Sequence, residues 1–334
     1  MKVIITEPTI PILWLDTWCI LEMAAALDSK DIPRRENAEK ILDKIISLTK
    51  RKKLICPEGD QDIEIGVSNN TKIVAKSREI QAQMSLGISL NMYVGVEHLQ
   101  IQRMMKAVIE KQPKAEFPWR DVFNDDPTRI IDRNDKFIVS VHIPQSQEQV
   151  DEQIATHKSI AKDWETLRQD ARTKKVTYQT TLAREFKGSA ESISHVMANI
   201  AAKTIHKLPI SDKEYMQSVD IVGTPLSWWE HYSGKQDALK DVIAFYSSTE
   251  YTQIPFVNVG TRLLTELVSG NESVSAGDVM DIHHMSTILP YASYIVTDKR
   301  VRNRLEGRTQ LIKDYPTKLL KWTEVLPLLE TLDK

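Results

Sequence analysis

Two short apolar segments near opposite ends of the chain each end in an aspartate. Residues 10–16 end in Asp16, and residues 294–298 end in Asp298. A short continuous apolar run of this kind is typical of a strand that is buried on both faces. Such strands belong to parallel sheets that helices cover on both sides. The pair therefore predicts an α/β fold with a central parallel sheet and an aspartate at the carboxyl end of each strand.

Segments of helical periodicity separate and follow these strands. The pattern predicts helices at residues 17–27, 36–52, 94–112, 256–268, 276–289 and 319–332, and a polar helical region at 60–86. It also predicts a brief buried strand at 54–57 and an edge strand at 309–313.

The middle of the chain departs from this alternation. It has one β-like segment at 136–143, followed by long polar helical stretches at 146–175 and 182–207. No linker rich in glycine, proline or serine separates it from the rest. We predict a mostly helical insertion or cap at residues 113–248, within a core formed by residues 1–112 and 249–334.

Charge and cysteine content exclude several classes of protein. The 44 basic and 46 acidic residues give a net charge of −2, so affinity for nucleic acid must come from local patches. Cys19 and Cys56 lie in apolar stretches, which argues against a disulfide framework or a zinc finger. The apolar run near the N-terminus contains Asp16 and Glu22, unlike a signal peptide or a membrane span. We expect a cytoplasmic protein without membrane contact.

Further acids fall where the predicted fold brings them beside the two strand ends. In open parallel sheets, ligands bind outside the carboxyl ends of the strands. Asp278 and Asp281 lie one turn apart on the helix before the second aspartate-ending strand. Glu64 lies on the helix after residues 54–57. Asp16 and Asp298, each taken alone, are equally well explained as helix N-caps.

Clustered carboxylates repel one another and lose hydration, which protonation or a bound cation must compensate. Mg²⁺ and Mn²⁺ are the usual partners of such oxygen ligands. One or two such ions can activate a water and stabilise the leaving oxygen of a phosphodiester. The sequence thus predicts a metal site made of these carboxylates: Asp16, Glu64, Asp278, Asp281 and Asp298.

The acid-bearing segments resemble a PIN-like nuclease domain, and in particular the larger bacterial PIN-like proteins. The resemblance rests on Leu15-Asp16-Thr17 after an apolar strand, on an acid in the helix after the second strand, and on residues 277–300. The last segment is the most specific, with Gly277-Asp278 and the sequence from Asp281 to His284. The resemblance covers roughly residues 10–112 and 254–332.

The resemblance implies a three-layer α/β/α sandwich with a central parallel sheet. It also implies a metal-dependent endonuclease that acts mostly on RNA and sometimes on DNA. The catalytic acids implied are Asp16, Glu64, Asp281 and Asp298. Glu58, Asp60 and Asp62 are alternatives to Glu64, because they lie close to it in the sequence.

Several other residues close to these acids in the sequence are candidates for substrate binding or for orienting a ligand. Lys299, Arg300 and Arg302 suit phosphate binding, although a solvated helix face explains them equally well. Thr297 either positions a metal-bound water or caps the next turn. We expect His284 to orient a carboxylate or contact substrate, since no cysteine or third histidine nearby in the sequence completes a zinc site.

The tryptophans and the insertion leave further alternatives open. Trp119, Trp228 and Trp229 either stack on bases or, as the more frequent outcome, pack in a core. The insertion is consistent with binding of a protein partner or with formation of a homo-oligomer. It is also consistent with a role of the whole chain as the effector of a toxin or phage-defence system. A catalytically inactive PIN-like scaffold and a DNA endonuclease remain the alternative functions. An aspartyl phosphatase is disfavoured, because Trp18 stands where its second aspartate is needed.

Overall fold

The structure is a computed structural model that describes residues 1–66, 70–128 and 147–334. The β-like segment predicted at 136–143 lies outside the described residues. Helices dominate, and the strands are short. The strands are β1 Lys2–Ile5, β2 Leu13–Leu15, β3 Lys114–Phe117, β4 Tyr294–Val296 and β5 Lys318–Leu320.

Most helices form where the apolar periodicity predicts them. Within the described residues no helix is long and apolar enough to cross a membrane. The helices are α1 Thr17–Leu27, α2 Ile32–Lys50, α3 Gln61–Gly66, α4 Thr71–Ser85, α5 Tyr93–Ile109, α6 Gln147–Thr173, α7 Tyr178–Ile205, α8 Asp212–Ser218, α9 Thr224–Ser233, α10 Leu239–Tyr246, α11 Thr249–Thr252, α12 Pro255–Ser269, α13 Ala276–Ile288, α14 Lys299–Glu306, α15 Leu311–Asp314 and α16 Val325–Asp333. Short 3₁₀ turns occur at Trp119–Val122 and Trp322–Glu324, and a π-helical turn at Val219–Gly223.

The chain divides into two compact units. The first, called the site unit, comprises Ile5–Val96, Pro118–Thr166 and Glu272–Lys334. The second, called the helical unit, comprises Met1–Ile4, Glu97–Phe117 and Leu167–Asn271. Both units receive part of residues 113–248, and the role of that section as an insertion stays a prediction.

A parallel sheet in the order β2-β4-β5 lies in the site unit. Leu15 pairs with Val296, and Val296 pairs with Leu320. Single parallel bridges, Ile12 to Ile55 and Glu58 to Ser89, extend the pattern beyond β2. The structure therefore confirms a mixed α/β fold with short parallel strands. Residues that directly follow β2, β4 and β5 meet at one edge of this sheet, which we call the carboxyl edge.

The core of the site unit explains why β2 is a continuous apolar run. Its residues, including Leu13 and Leu15, are buried together with apolar side chains of α1, α2, α4 and α16. Ile20 of α1 and Ile45 of α2 are among these side chains. Each fully buried side chain of this kind contributes about 1.5–3 kcal/mol. This packing holds the start of α1, and with it Asp16, at the carboxyl edge.

In the helical unit, α7 packs against α10 and α12. Trp229 is buried there and its ring lies 5.8 Å from that of Phe245. Trp228 lies edge-on to His98. In the site unit, Trp119 is buried against Phe123. Core packing, rather than exposure for base stacking, therefore accounts for Trp119 and Trp229.

The predicted edge strand at 309–313 is wrong. That region contains α15, and the edge strand is β5. Gln310 adopts a left-handed conformation with φ of 53°, which breaks an extended path. The hydroxyl of Thr317 then donates to the carbonyls of Leu289 and Ala292, both at 2.7 Å, and fixes the start of β5. The strand predicted at 54–57 contributes only the bridge at Ile55.

Candidate active site

Asp16 follows β2 directly and stands at the N-cap position of α1. Its side chain makes no capping hydrogen bond. Instead, its Oδ2 accepts a hydrogen bond of 2.7 Å from Thr297 Oγ1. The carboxylate is 7% exposed, so this contact is made in a largely dehydrated environment. The alternative interpretation as a helix cap therefore does not account for the side chain of Asp16.

Asp298 follows β4 by one further residue and behaves differently. Its Oδ1 accepts a hydrogen bond of 2.8 Å from the backbone N–H of Val301, which caps α14. The side chain is exposed to solvent. Helix capping thus accounts for one of its two oxygens.

Asp281, on α13, is the acid whose pKa the other predicted ligands raise. Its pKa is raised from 3.8 to about 8. Burial is the largest cause, followed by the negative charges of the four other predicted ligands: Asp16, Glu64, Asp278 and Asp298. Asp281 is therefore close enough to interact with each of the other four, although the five acids come from four separate segments of the chain. Without a cation, Asp281 holds its proton at neutral pH.

Glu64 lies on the short helix α3, whose start is fixed beside the end of β2. Gln61 Nε2 donates a hydrogen bond of 2.8 Å to the carbonyl of Leu15. Glu64 Oε2 accepts a hydrogen bond from the hydroxyl of Thr17 and lies 4.0 Å from His284 Nδ1. Among the alternatives, Glu58 Oε2 accepts a weak bond of 3.4 Å from Ser85.

Asp278 is held by protein groups on both oxygens. Its Oδ1 lies 2.6 Å from Arg304 Nη1, and its Oδ2 lies 3.1 Å from Arg300 Nη2. The same Oδ2 accepts from the backbone N–H of Ser275 at 2.6 Å. The side chain is fully buried. The two arginines neutralise Asp278 without a metal ion, whereas among the described residues no arginine or lysine pairs with Asp16 or Asp281.

The basic residues after β4 do not share one role. Arg300 donates to Glu272 at 2.9 Å and to the carbonyl of Ser273 at 2.7 Å, in addition to Asp278. Arg302 donates to the carbonyl of Leu320. Both guanidinium groups therefore donate hydrogen bonds to other groups of the protein. Lys299 is exposed at the start of α14.

His284 is buried between Trp14 and Glu64. The ring is 5% exposed and lies edge-on to the indole of Trp14 at 5.8 Å. Its Nε2 is buried and has no hydrogen-bond partner among the described residues. A buried polar atom without a partner is uncommon and often marks a functional position. The neighbouring His283 stacks on Tyr93 at 3.9 Å, and burial lowers its pKa to about 4.

Two further residues interact with this histidine: His157, which the sequence pattern did not indicate, and Asp60, which it offered only as an alternative to Glu64. Burial lowers the pKa of His157, on α6, while the charge of Glu64 raises it and that of His284 lowers it. Burial raises the pKa of Asp60, and His284 opposes that rise. His157 was missed because α6 falls in the predicted insertion, where no periodicity or spacing points to the carboxyl edge.

The arrangement brings several carboxyl groups within electrostatic range of Asp281 at the carboxyl edge. Among the described residues, no three His, Cys, Asp or Glu side chains are arranged so that they could hold one metal ion. The charges of the other four acids raise the pKa of Asp281, which therefore lies within electrostatic range of each of them.

Comparison with models of known protein families, with curated proteins and with solved structures finds no match to this chain.

Proposed function

We propose that this chain is a divalent-metal-dependent endonuclease that hydrolyses phosphodiester bonds, with RNA as the favoured substrate. The observation that carries the proposal is the raised pKa of Asp281 beside four other carboxylates. Carboxyl groups with strongly perturbed pKa values cluster at functional sites. Crowded carboxyl groups lower the stability of the folded state, so a protein keeps them where its function requires them. The proposal includes a three-layer PIN-like sandwich around the β2-β4-β5 sheet and a helical insertion at residues 113–248.

The residues proposed to hold the ion are Asp16, Glu64, Asp281 and Asp298. Hard cations such as Mg²⁺ and Mn²⁺ prefer carboxylate oxygens, which these four side chains would provide. Asp278 is omitted from the ligand set because two arginines already satisfy its oxygens. A bound divalent ion supplies an activated water and stabilises the leaving oxygen.

Neighbouring side chains orient the proposed ligands. Thr297 holds one oxygen of Asp16, and Thr17 holds one oxygen of Glu64. His284 lies against Glu64 and restricts its rotation. Hydrogen bonds of this kind matter for metal sites, since loss of an orienting group typically lowers affinity or activity by about 10- to 100-fold.

Substrate binding is assigned to the exposed face of the same edge. Lys299 is placed to contact a phosphate as a point charge. Arg300 and Arg302 act indirectly, because their protein contacts fix the start of α14 and the end of β5. We propose a cytoplasmic location. We also propose that residues 113–248 bind a protein partner or a second copy of the chain.

Cleavage of labelled single-stranded RNA in Mn²⁺ or Mg²⁺, against an EDTA control, tests the proposal. Asp281→Asn and Asp16→Asn should each lower the rate by more than about 100-fold, since even orienting groups contribute that much. Asp43→Asn, at an exposed position of α2, is the matched control and should cleave normally. Full activity in both site variants would remove the proposed centre. Parallel assays on single-stranded DNA distinguish the two nucleic acids.

A catalytically inactive scaffold or partner-binding protein is the second candidate. It is favoured by the protein contacts that already satisfy Asp278 and cap α14 through Asp298. Thermal unfolding with and without Mn²⁺ separates the two candidates. A metal-binding enzyme is stabilised by Mn²⁺ in a manner that Asp281→Asn removes, whereas an inactive scaffold shows no such carboxylate-dependent shift.

A further inference from the structure

Trp18 and Trp322 form an aromatic pair on the surface of the site unit. Their rings meet edge to face, with centroids 6.5 Å apart and an interplanar angle of 78°. Trp18 is 45% exposed, and Trp322 is half-buried against the core. A large ring with nearly half its surface in water contributes little to the core, and tryptophan is enriched at binding surfaces.

The parallel sheet places this pair at the carboxyl edge. Trp18 lies in the first turn of α1, two residues after Asp16, and Trp322 lies two residues after the end of β5. In the sheet order β2-β4-β5, the end of β4 lies between these two strand ends. The pair therefore spans the strand end that carries Asp298, at the same edge as the proposed metal ligands.

Basic groups accompany the two rings. Lys299 and Lys321 are exposed and follow the ends of β4 and β5. Arg302 donates to the carbonyl of Leu320, which places a third positive charge at the end of β5. Single-stranded nucleic acids bind where aromatic side chains offer faces to bases beside basic groups that follow the backbone.

We propose that Trp18 and Trp322 form a stacking platform for unpaired bases of a single-stranded nucleic acid, whose phosphates Lys299 and Lys321 bind. The inference extends the proposed nuclease function and rests on it, because cleavage of the bound strand is part of that proposal. It selects a single-stranded substrate, because the bases of a duplex have no free face to stack on the rings. The adjoining lysines favour this polyanion over an apolar protein surface as the occupant.

Binding of a short fluorescein-labelled oligouridylate in EDTA tests the platform without cleavage. The readout is fluorescence anisotropy, and an abasic strand of equal length is the matched probe. Trp18→Ala should weaken binding of the base-containing strand by about tenfold and leave the abasic strand unchanged. Trp18→Phe keeps a ring and should retain most of the affinity. Trp228→Ala, at a half-buried tryptophan of the helical unit, should bind as the wild type does.

Lysine variants and a site variant complete the test. The double variant Lys299→Ala with Lys321→Ala should weaken both probes and reduce the slope of log affinity against log salt by about 1.4, or 0.7 for each phosphate that a lysine no longer neutralises. Asp281→Asn should bind as well as the wild type, so failure of cleavage and failure of stacking are measured separately. Three outcomes would overturn the platform. They are equal binding of both probes by wild type, wild-type affinity in Trp18→Ala, and no binding of oligouridylate at all.

Discussion

Thr297 Oγ1 donates a hydrogen bond of 2.7 Å to Asp16 Oδ2, although 281 positions separate the two residues in the chain. The bond is buried and joins the carboxyl ends of the neighbouring strands β2 and β4. It fixes one oxygen of Asp16 by a tertiary contact, where a helix cap would have used a local one. Asp16 and Asp298, which look alike in the sequence, therefore occupy different roles.

Removal of the donor in this bond is the first prediction. Thr297→Val keeps the shape of the side chain and leaves a buried carboxylate oxygen without its partner. We expect a loss of about 1–3 kcal/mol in the free energy of unfolding, measured by urea denaturation. Thr297→Ser keeps the hydroxyl and should lose much less. Equal stability of the valine and serine variants would contradict the assigned role of the bond.

The cap of α14 gives the second prediction. Asp298→Ala removes the acceptor for the N–H of Val301 and should lower stability by about 1 kcal/mol. Asp298→Asn retains a capping oxygen and should remain close to wild type in stability. If the asparagine variant is also nearly inactive on RNA, a catalytic effect is separated from a structural one. An alanine variant as stable as the wild type would refute the cap.

Asp278 and Glu272 form a matched pair for the third prediction. Both form ion pairs with Arg300 and Arg304, but the Asp278 side chain is fully buried and that of Glu272 is 70% exposed. Asp278→Ala leaves buried positive charge and should cost about 3–5 kcal/mol. Glu272→Ala removes a solvent-screened pair and should cost less than about 1 kcal/mol. Comparable losses in urea denaturation would contradict this difference.

The raised pKa of Asp281 sets the sign of the fourth prediction. The folded pKa of about 8 exceeds the ordinary value of 3.8, so between these values the folded state binds more protons than the unfolded state. The contribution of this group to stability is therefore complete below about pH 4 and is lost as the pH rises through 8. In EDTA, Asp281→Asn should raise Tm above wild type at pH 9, on the order of 3 °C.

Metal addition should reverse that comparison. In the proposed site Mn²⁺ would replace the proton on Asp281, so it should stabilise wild type more at pH 8 than at pH 6 and leave Asp281→Asn unaffected. Differential scanning fluorimetry at these pH values measures both effects. A Tm difference between wild type and variant that does not depend on pH would contradict the assigned pKa.

Glu97, in the helical unit, gives a fifth prediction that is independent of the proposed site. Burial raises its pKa from 4.5 to about 7. Because the folded pKa is raised, the stability it contributes is present below pH 4.5 and is lost as the pH rises through 7. Glu97→Gln should flatten the fall in the free energy of unfolding between pH 5.5 and pH 8. A curve parallel to that of wild type in urea denaturation would contradict the shift.

Much of the secondary structure follows from local pattern. The helices α12 and α13 lie within one residue of their predicted bounds. Apolar periodicity explains α12, because it sets which face of that helix is buried. The helix α13 is instead buried on nearly all sides, and the cap at Ser275 fixes where it begins. The strands β2 and β4 were also predicted, as short apolar runs that end in an aspartate. The predicted strand at 309–313 was wrong, because the left-handed Gln310 and the anchoring of Thr317 by the carbonyls of Leu289 and Ala292 are not visible in any local periodicity.

The sequence by itself determined the identity of the two strand-end aspartates and the mixed α/β character, since both depend on neighbouring residues along the chain. Only the tertiary structure decided that Asp298 caps a helix while Asp16 does not, and that His157 lies near His284. It also decided that Trp18 meets Trp322. The reason is physical: hydrogen bonds, burial and charge interactions act over a few ångströms in space, and the path of the whole chain sets which distant residues come within that range.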